Sequence, residues 1–181
     1  IWGTNPFGQS IATERLRNAV TKRAQIVKDA INSYHGNDLD ELADIIYKAT
    51  KKGGLFVVDA DIYPNQATQR AHIVFPAATT MEMSLTSMSG ERRMRLSQKV
   101  MDAPGSAKPD CLIAADIANA LKAEYTKAGN TKMAKRFEGF DWETEEDSFN
   151  DGFAGQGSKL ASQGGPTGKL ANYKNLEVAG N

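Results

Sequence analysis

The chain has 181 residues, and 22 Lys and Arg balance 22 Asp and Glu, so the formal net charge is zero. Neutrality excludes the basic excess of a general nucleic-acid or acidic-membrane binder. One cysteine, Cys111, and two histidines, His35 and His72, exclude an internal disulfide framework, a Cys-rich zinc or iron–sulfur site and a multi-histidine metal site within these residues. No apolar run approaches the roughly 20 residues of a membrane-spanning helix. The length suits one domain with an appendage, and 40% hydrophobic residues suffice for a sizeable core.

The chain opens Ile1-Trp2-Gly3-Thr4-Asn5-Pro6, with neither Met nor a basic leader, and stops at Gly180-Asn181 after what reads as an ordered segment. The expectation is an internal piece of a longer protein. Ile1 and Trp2 read as the end of a buried strand, and Gly3 to Pro6 as a sharp turn leaving it. Ser10 or Thr13 is the expected cap of a helix whose apolar face carries Leu16, Ala19, Val20, Val27, Ala30 and Ile31. The surrounding Arg15, Arg17, Lys22, Arg23 and Lys28 read as a solvated face.

Asp38 and Glu41 have capping-box spacing ahead of a second helical stripe at Leu39, Leu42, Ala43, Ile46 and Ala49. Lys48, Lys51 and Lys52 suit its C-terminus, and Gly53-Gly54 its stop. The continuous apolar run Leu55 to Val58 predicts a strand covered on both faces, hence parallel, with Asp59 and Asp61 at its C-terminal end. A turn at Tyr63-Pro64-Asn65, a short helix through Ala67, Thr68 and Ala71, and a strand Ile73 to Phe75 closed by Pro76 follow. This order predicts an α/β layered fold.

Residues Thr79 to Gly90 show no period and read as a loop. After Glu91-Arg92-Arg93-Met94-Arg95 come a turn at Asp102 to Gly105 and a helix carrying Ile113, Ala114, Ile117, Leu121 and Tyr125, capped by Asp110 and ended by Gly129-Asn130. Phe137, Phe140, Trp142 and Phe149 follow, with Thr144 and Asp147 at capping spacing. Gly152 to Gly168 is rich in Gly, Ser and Gln and reads as a linker or long loop.

In open α/β sheets, ligands sit at the carboxyl ends of strands. Two features meet that condition. Asn5 in Thr4-Asn5-Pro6 can read a nucleotide through its amide, or the tripeptide is simply a strand-to-helix turn. The Asp59 to Asp61 segment offers a carboxylate that accepts two hydrogen bonds from ribose hydroxyls or a guanine N–H pair, or it caps the short helix after Asn65. Alternation along the strand is expected to turn one of the two acids toward the crevice, and Asp61, nearest the turn, is the better choice. Asp110 reads as an N-cap that can also contact a ligand. Arg92, Arg93 and Arg95 are a phosphate clamp or a solvated face. The methionines read as packing residues, and Cys111 as a small buried hydrophobe rather than a nucleophile. No Walker loop, GxGxxG, GxSxG or HExxH is present, so no catalytic centre is complete.

Taken together, GLFVVDADIYPNQATQRAHIVFPAA, EMSLTSMSGERR and APGSAKPD resemble, in order and spacing, the molybdopterin oxidoreductase family, which includes periplasmic nitrate reductases, formate dehydrogenases and arsenite oxidases. WGTNP is similar to the family's preceding strand-turn. EMSLTSMSGERRMRL, KPDCLIAADIANAL, RFEGFDWETEEDSFNDGF and NYKNLEVAGN look like the arsenite oxidase large-subunit branch. The resemblance implies a parallel-sheet, dinucleotide-binding-like (Rossmann-like) lobe over 1–128, with a helical and Gly-rich extension over 129–181. It implies a bis-molybdopterin guanine dinucleotide cofactor carrying molybdenum, contacted by Asn5, Ala60, Asp61 and Asp110. Related nitrate reductases have a contacting Lys where this chain has Met83. It further implies an iron–sulfur cluster in an upstream part, no requirement for Cys111 as a molybdenum ligand, arsenite as substrate, a Rieske-type small subunit as partner and a periplasmic location. The other readings are a nitrate reductase or formate dehydrogenase type, or a non-catalytic nucleotide-binding or docking module.

Overall fold

The computed structural model describes residues 6–9, 12–88 and 94–151. Asn5, Ser10, Arg92, Arg93 and the Gly-rich stretch lie outside them. The chain forms two compact units, Ile1–Pro76 and Ala77–Asn181. The division expected near residue 128 falls inside the second.

The first unit runs α1 (Pro6–Gln9), α2 (Thr13–Asn32), α3 (Leu39–Lys51), β1 (Val58–Asp61), a 3-10 turn (Thr68–Arg70) and β2 (Ile73–Pro76). Helix α2 buries Ala24 and Val27, flanked at helical spacing by half-buried Leu16, Val20 and Ile31. Ala19, expected on that stripe, is exposed. Thr13 does not cap α2. The chain enters through Ala12 in the left-handed region, at φ 58°, with no side-chain cap, so Thr13 is already helical. The Asp38 cap forms as expected. Its Oδ1 accepts from the Asp40 and Glu41 backbone amides at 2.8 and 3.3 Å. Glu41 does not reach back as in a full capping box; its Oε2 instead accepts from the Tyr34 hydroxyl at 3.1 Å.

Helix α3 stops at Gly53, whose φ of 94° suits only a residue without a side chain. Gly54 then donates to the Ala49 carbonyl and lies against α2. A Cβ there would come within 2.8 Å of both Val27 Cγ2 and the Ala49 oxygen. Phe7 is fully buried and lies beneath the Arg70 guanidinium, 5.3 Å from the ring centroid. Arg70 also donates to Thr21 Oγ1, and Lys28 to the Gln69 carbonyl, which ties the segment after β1 to α2.

Strands β1 and β2 pair in parallel, as expected, Val58 to Ile73 through Asp61 to Pro76, but the pair is not covered throughout, since Ile73 and Val74 of β2 are exposed. The strand begins three residues later than expected. Ahead of it the Val57 amide donates to His72 Nδ1 at 2.9 Å, and the Val57 carbonyl accepts from the His72 amide at 2.8 Å. Asp59 and Asp61 are therefore within β1 rather than beyond it.

The second unit corrects the loop expected over 79–90. Leu85–Met88 (β3) pairs antiparallel with Met94–Ser97 (β4), and Leu96 is buried. Apolar and polar residues alternate across Met94–Ser97, but Leu85–Met88 carries Thr86 and Ser87 side by side, so only one of the two strands shows the half-buried pattern. A parallel bridge joins Ala77 to Lys108 ahead of α4 (Asp110–Lys127), which is followed by α5 (Thr131–Ala134) and a 3-10 turn (Lys135–Phe137). Gly129 ends α4 as predicted, at φ 70°. Tyr125 stacks on Phe137, and Asn119 holds the Phe140 carbonyl at 2.9 Å. Thr144 and Asp147 cap the helix described over 145–151: Asp147 Oδ2 accepts from the Glu143 and Thr144 amides, and the Asp147 amide donates to Thr144 Oγ1. The Thr144 hydroxyl and these amides hold the Asp147 carboxyl below its ordinary range.

Gly54→Ala should destabilise the protein by about 1–3 kcal/mol, the usual effect of overpacking, because the new methyl group meets backbone on one side. A shifted urea midpoint at unchanged slope is the measurement.

Candidate functional site

Strand β1 carries the first set of site residues. Ala60 is buried and Asp59 is 1% exposed, whereas Asp61 is half-buried. The expectation that alternation separates the two acids is incorrect: residues two apart on a strand share a face. What separates them is depth. Neither Asp59 oxygen meets a partner with hydrogen-bond geometry among the described residues, and the adjacent Ala60 amide only weakly favours its charged form. Burial, and then the neighbouring Asp61, push its carboxyl above the ordinary range.

Asp61 is engaged. Its Oδ1 accepts from the Ile62 amide at 2.8 Å, and its Oδ2 accepts from Asn65 Nδ2. Asn65 Oδ1 in turn accepts from the Ala67 amide at 2.7 Å and the Thr68 amide at 3.4 Å. The capping role considered for the acids thus falls to Asn65, and Asp61 orients it. A carboxylate has about four acceptor positions, so Asp61 keeps capacity for a ligand hydroxyl or N–H.

In the second unit, a cavity of about 270 Å³ lies at the start of α4. Asp110, Cys111, Glu145, Ser148 and Phe149 line it from the two helices, and Met83 to Thr86 from the approach to β3 and β3 itself. The fold thus brings together Asp110 and Met83, which the resemblance singled out separately. Asp110 does not cap α4 by hydrogen bonding. Pro109 takes the cap position, and its carbonyl accepts from the Leu112 and Ile113 amides at 3.0 Å. Asp110 is the first helical residue, where its charge still favours the positive end of the helix. Its carboxylate makes no hydrogen bond among the described residues and remains available.

Glu145 was not visible as a site residue in the sequence. Its Oε1 accepts from the Ser84 amide at 3.1 Å across 61 residues of chain, a pairing that no local spacing encodes. Burial pushes the Cys111 thiol up; a hydrogen bond with Ser148 opposes that, and Glu145 adds to it. The thiol is poorly suited to nucleophilic work, as expected. Among the described residues no group of three or more His, Cys, Asp or Glu side chains is arranged to hold a metal ion.

The family model described as molybdopterin oxidoreductase matches residues 4–120, which contain β1, β2, the hairpin and the start of α4. The chain belongs to the molybdopterin oxidoreductase family. It is 55% identical over 99% of its length to arsenite oxidase subunit AioA of Herminiimonas arsenicoxydans. It is also 36% identical to iodate reductase subunit IdrA of Denitromonas iodatirespirans over 66% of its length, and 35% identical to that of Pseudomonas sp. (strain SCT) over 83%. The chain spans 22% of AioA, and 13% and 15% of the two IdrA subunits.

A pH prediction follows from the buried acid. A carboxyl whose folded pKa is raised binds its proton more tightly folded than unfolded, so its contribution to stability falls as pH rises from the unfolded value of about 3.9 through the folded one. Asp59→Asn should therefore stabilise the cofactor-free protein at neutral pH and change it little at acid pH. Urea titrations of both proteins across that range measure the difference.

Proposed function

We propose that this chain is an internal part of the catalytic subunit of an arsenite oxidase, and that it holds a guanosine end of a bis-molybdopterin guanine dinucleotide cofactor in a Rossmann-like lobe. The 55% identity to AioA over 99% of the chain carries this reading.

The side chains present fit the nucleotide part of that group. Asp59 is a buried carboxyl lacking a protein partner, Asp61 retains acceptor capacity, and Asp110 is a free carboxylate on a cavity that also offers the hydroxyls of Ser84, Thr86 and Ser148. Acceptors of this kind suit ribose hydroxyls and ring N–H groups. Asn5, Ala60, Asp61 and Asp110 are the proposed contacts. Met83 stands where the resemblance places a Lys in nitrate reductases, and supplies only apolar, polarizable surface.

When bound, the cofactor supplies the two-electron chemistry that takes arsenite to arsenate. This chain's part is to grip and orient the nucleotide tail, so that the reactive end is placed by a rigid anchor rather than by a mobile one. The electrons would leave through an iron–sulfur cluster held by an upstream part of the protein, to a Rieske-type small subunit, in the periplasm.

The full-length protein, purified with its cofactor, tests the reading. Arsenite-dependent reduction of an artificial electron acceptor, with molybdenum present by metal analysis, is the expected result. Iodate reduction without arsenite oxidation would instead favour the second reading, which the identity to two IdrA subunits raises. Asp110→Ala should lower molybdenum per chain, since a charged hydrogen bond is worth on the order of 1.5–3 kcal/mol. Lys169→Ala is the control and should load normally.

A further inference from the structure

We propose that Glu145 is a second ligand-reading carboxylate of the cavity at the start of α4, and that the group it reads with Asp110 is the N–H-bearing edge of a guanine ring. The inference rests on the function proposed above and specifies which part of the nucleotide this cavity takes.

The argument begins with what lines the space. No Lys or Arg lines it, and two carboxylates do. Such a lining repels a phosphate and attracts hydrogen-bond donors. The remaining polar groups are the hydroxyls of Ser84, Thr86 and Ser148, which adapt to donors or acceptors, while Leu85 and Phe149 give apolar surface suited to a flat ring. About 270 Å³ is just below the range of drug-sized sites, roughly 300–1,000 Å³, and admits a single base. Guanine presents adjacent N1–H and N2–H2 donors, whereas adenine turns the N1 lone pair toward an acceptor at the same place. The three acidic or thiol side chains do not form a metal-ligating group.

Glu145 has one oxygen committed and one available. Oε1 accepts the Ser84 amide at 3.1 Å, which fixes the strand approach that walls the cavity. Oε2 makes no hydrogen bond among the described residues; the Lys99 ammonium outside the lining feels the Glu145 charge but is held by Asp102 at 2.8 Å. The residue lies beyond the 4–120 span of the family match but within the stretch shared with AioA. Base reading is therefore completed here by a segment that the general family pattern does not include, in a cavity where Met83 offers no charge.

Glu145→Gln separates reading from support. The amide oxygen still accepts from Ser84, while the second oxygen becomes an N–H2 donor facing the ligand's donors. Full-length wild-type enzyme, Glu145→Gln and the exposed control Glu138→Gln are prepared under limiting cofactor supply. Guanosine monophosphate released by acid hydrolysis is measured per chain, with the thermal midpoint of each cofactor-free protein alongside. The expected result is about a tenfold fall in guanosine monophosphate for Glu145→Gln, the effect of losing one charged hydrogen bond, with the control and all thermal midpoints unchanged. Wild-type yield from Glu145→Gln would overturn the inference and leave the function standing. A lowered thermal midpoint with the lowered yield would also overturn it, by assigning Glu145 to support alone. A wild-type enzyme that releases no guanosine monophosphate would overturn the function itself.

Discussion

Two parallel strands bury poorly by themselves, and covering β1, whose Asp59 and Ala60 are buried while Ile73 and Val74 of β2 stay exposed, organises the first unit. A parallel sheet needs protection on both faces, and its ladder must be closed where pairing starts. Here His72 closes it. Its Nδ1 takes the Val57 amide at the head of β1, and its Nε2 lies 3.1 Å from the Ala24 carbonyl in the buried turn of α2. One imidazole thus satisfies a strand amide and reaches a helix carbonyl, with Phe56 stacked on its ring at 5.1 Å. The Gly54 approach to Val27 brings α3 onto the same surface of α2. Helix, strand and turn are held in register by contacts that a single bulky or apolar replacement would break.

That register sets the depth of the acids. Because the ladder starts at Val58 rather than Leu55, Asp59 is drawn into the interior and Asp61 comes to the rim, where Asn65 and the Ile62 amide hold it. The two carboxyls have the same chemistry and different surroundings, and only the deeper one lacks a protein partner. The second unit uses another arrangement. Its acids stand at the first turns of two helices, and a backbone amide from the approach to β3 pins one of them.

Much of this was legible in the sequence. Capping at Asp38 and Asp147 and the glycine stops at Gly53 and Gly129 are local signals that appear where the spacing placed them, and the parallel pairing expected of the Leu55–Val58 run forms three residues further on. The errors have physical causes. Thr13 yields its capping role because the backbone enters α2 through a left-handed alanine. Asp110 yields its own because the preceding proline takes the cap position. The hairpin at β3 and β4 escaped notice because Thr86 and Ser87, both polar, break the alternation of its first strand. The alliance of Glu145 with Ser84 could not be read at all, since it is a tertiary contact between segments 61 residues apart. The family resemblance selected Asp110 without giving the cavity around it.

The surroundings of Cys111 carry a last consequence. This chain has a single sulfhydryl, half-buried, and burial together with the nearby Glu145 carboxylate pushes it above the ordinary thiol range. The same shielding makes the site slow toward alkylating reagents. A sluggish label placed there would sit on the wall of the proposed base cavity, where its fluorescence would register whether the cavity is filled.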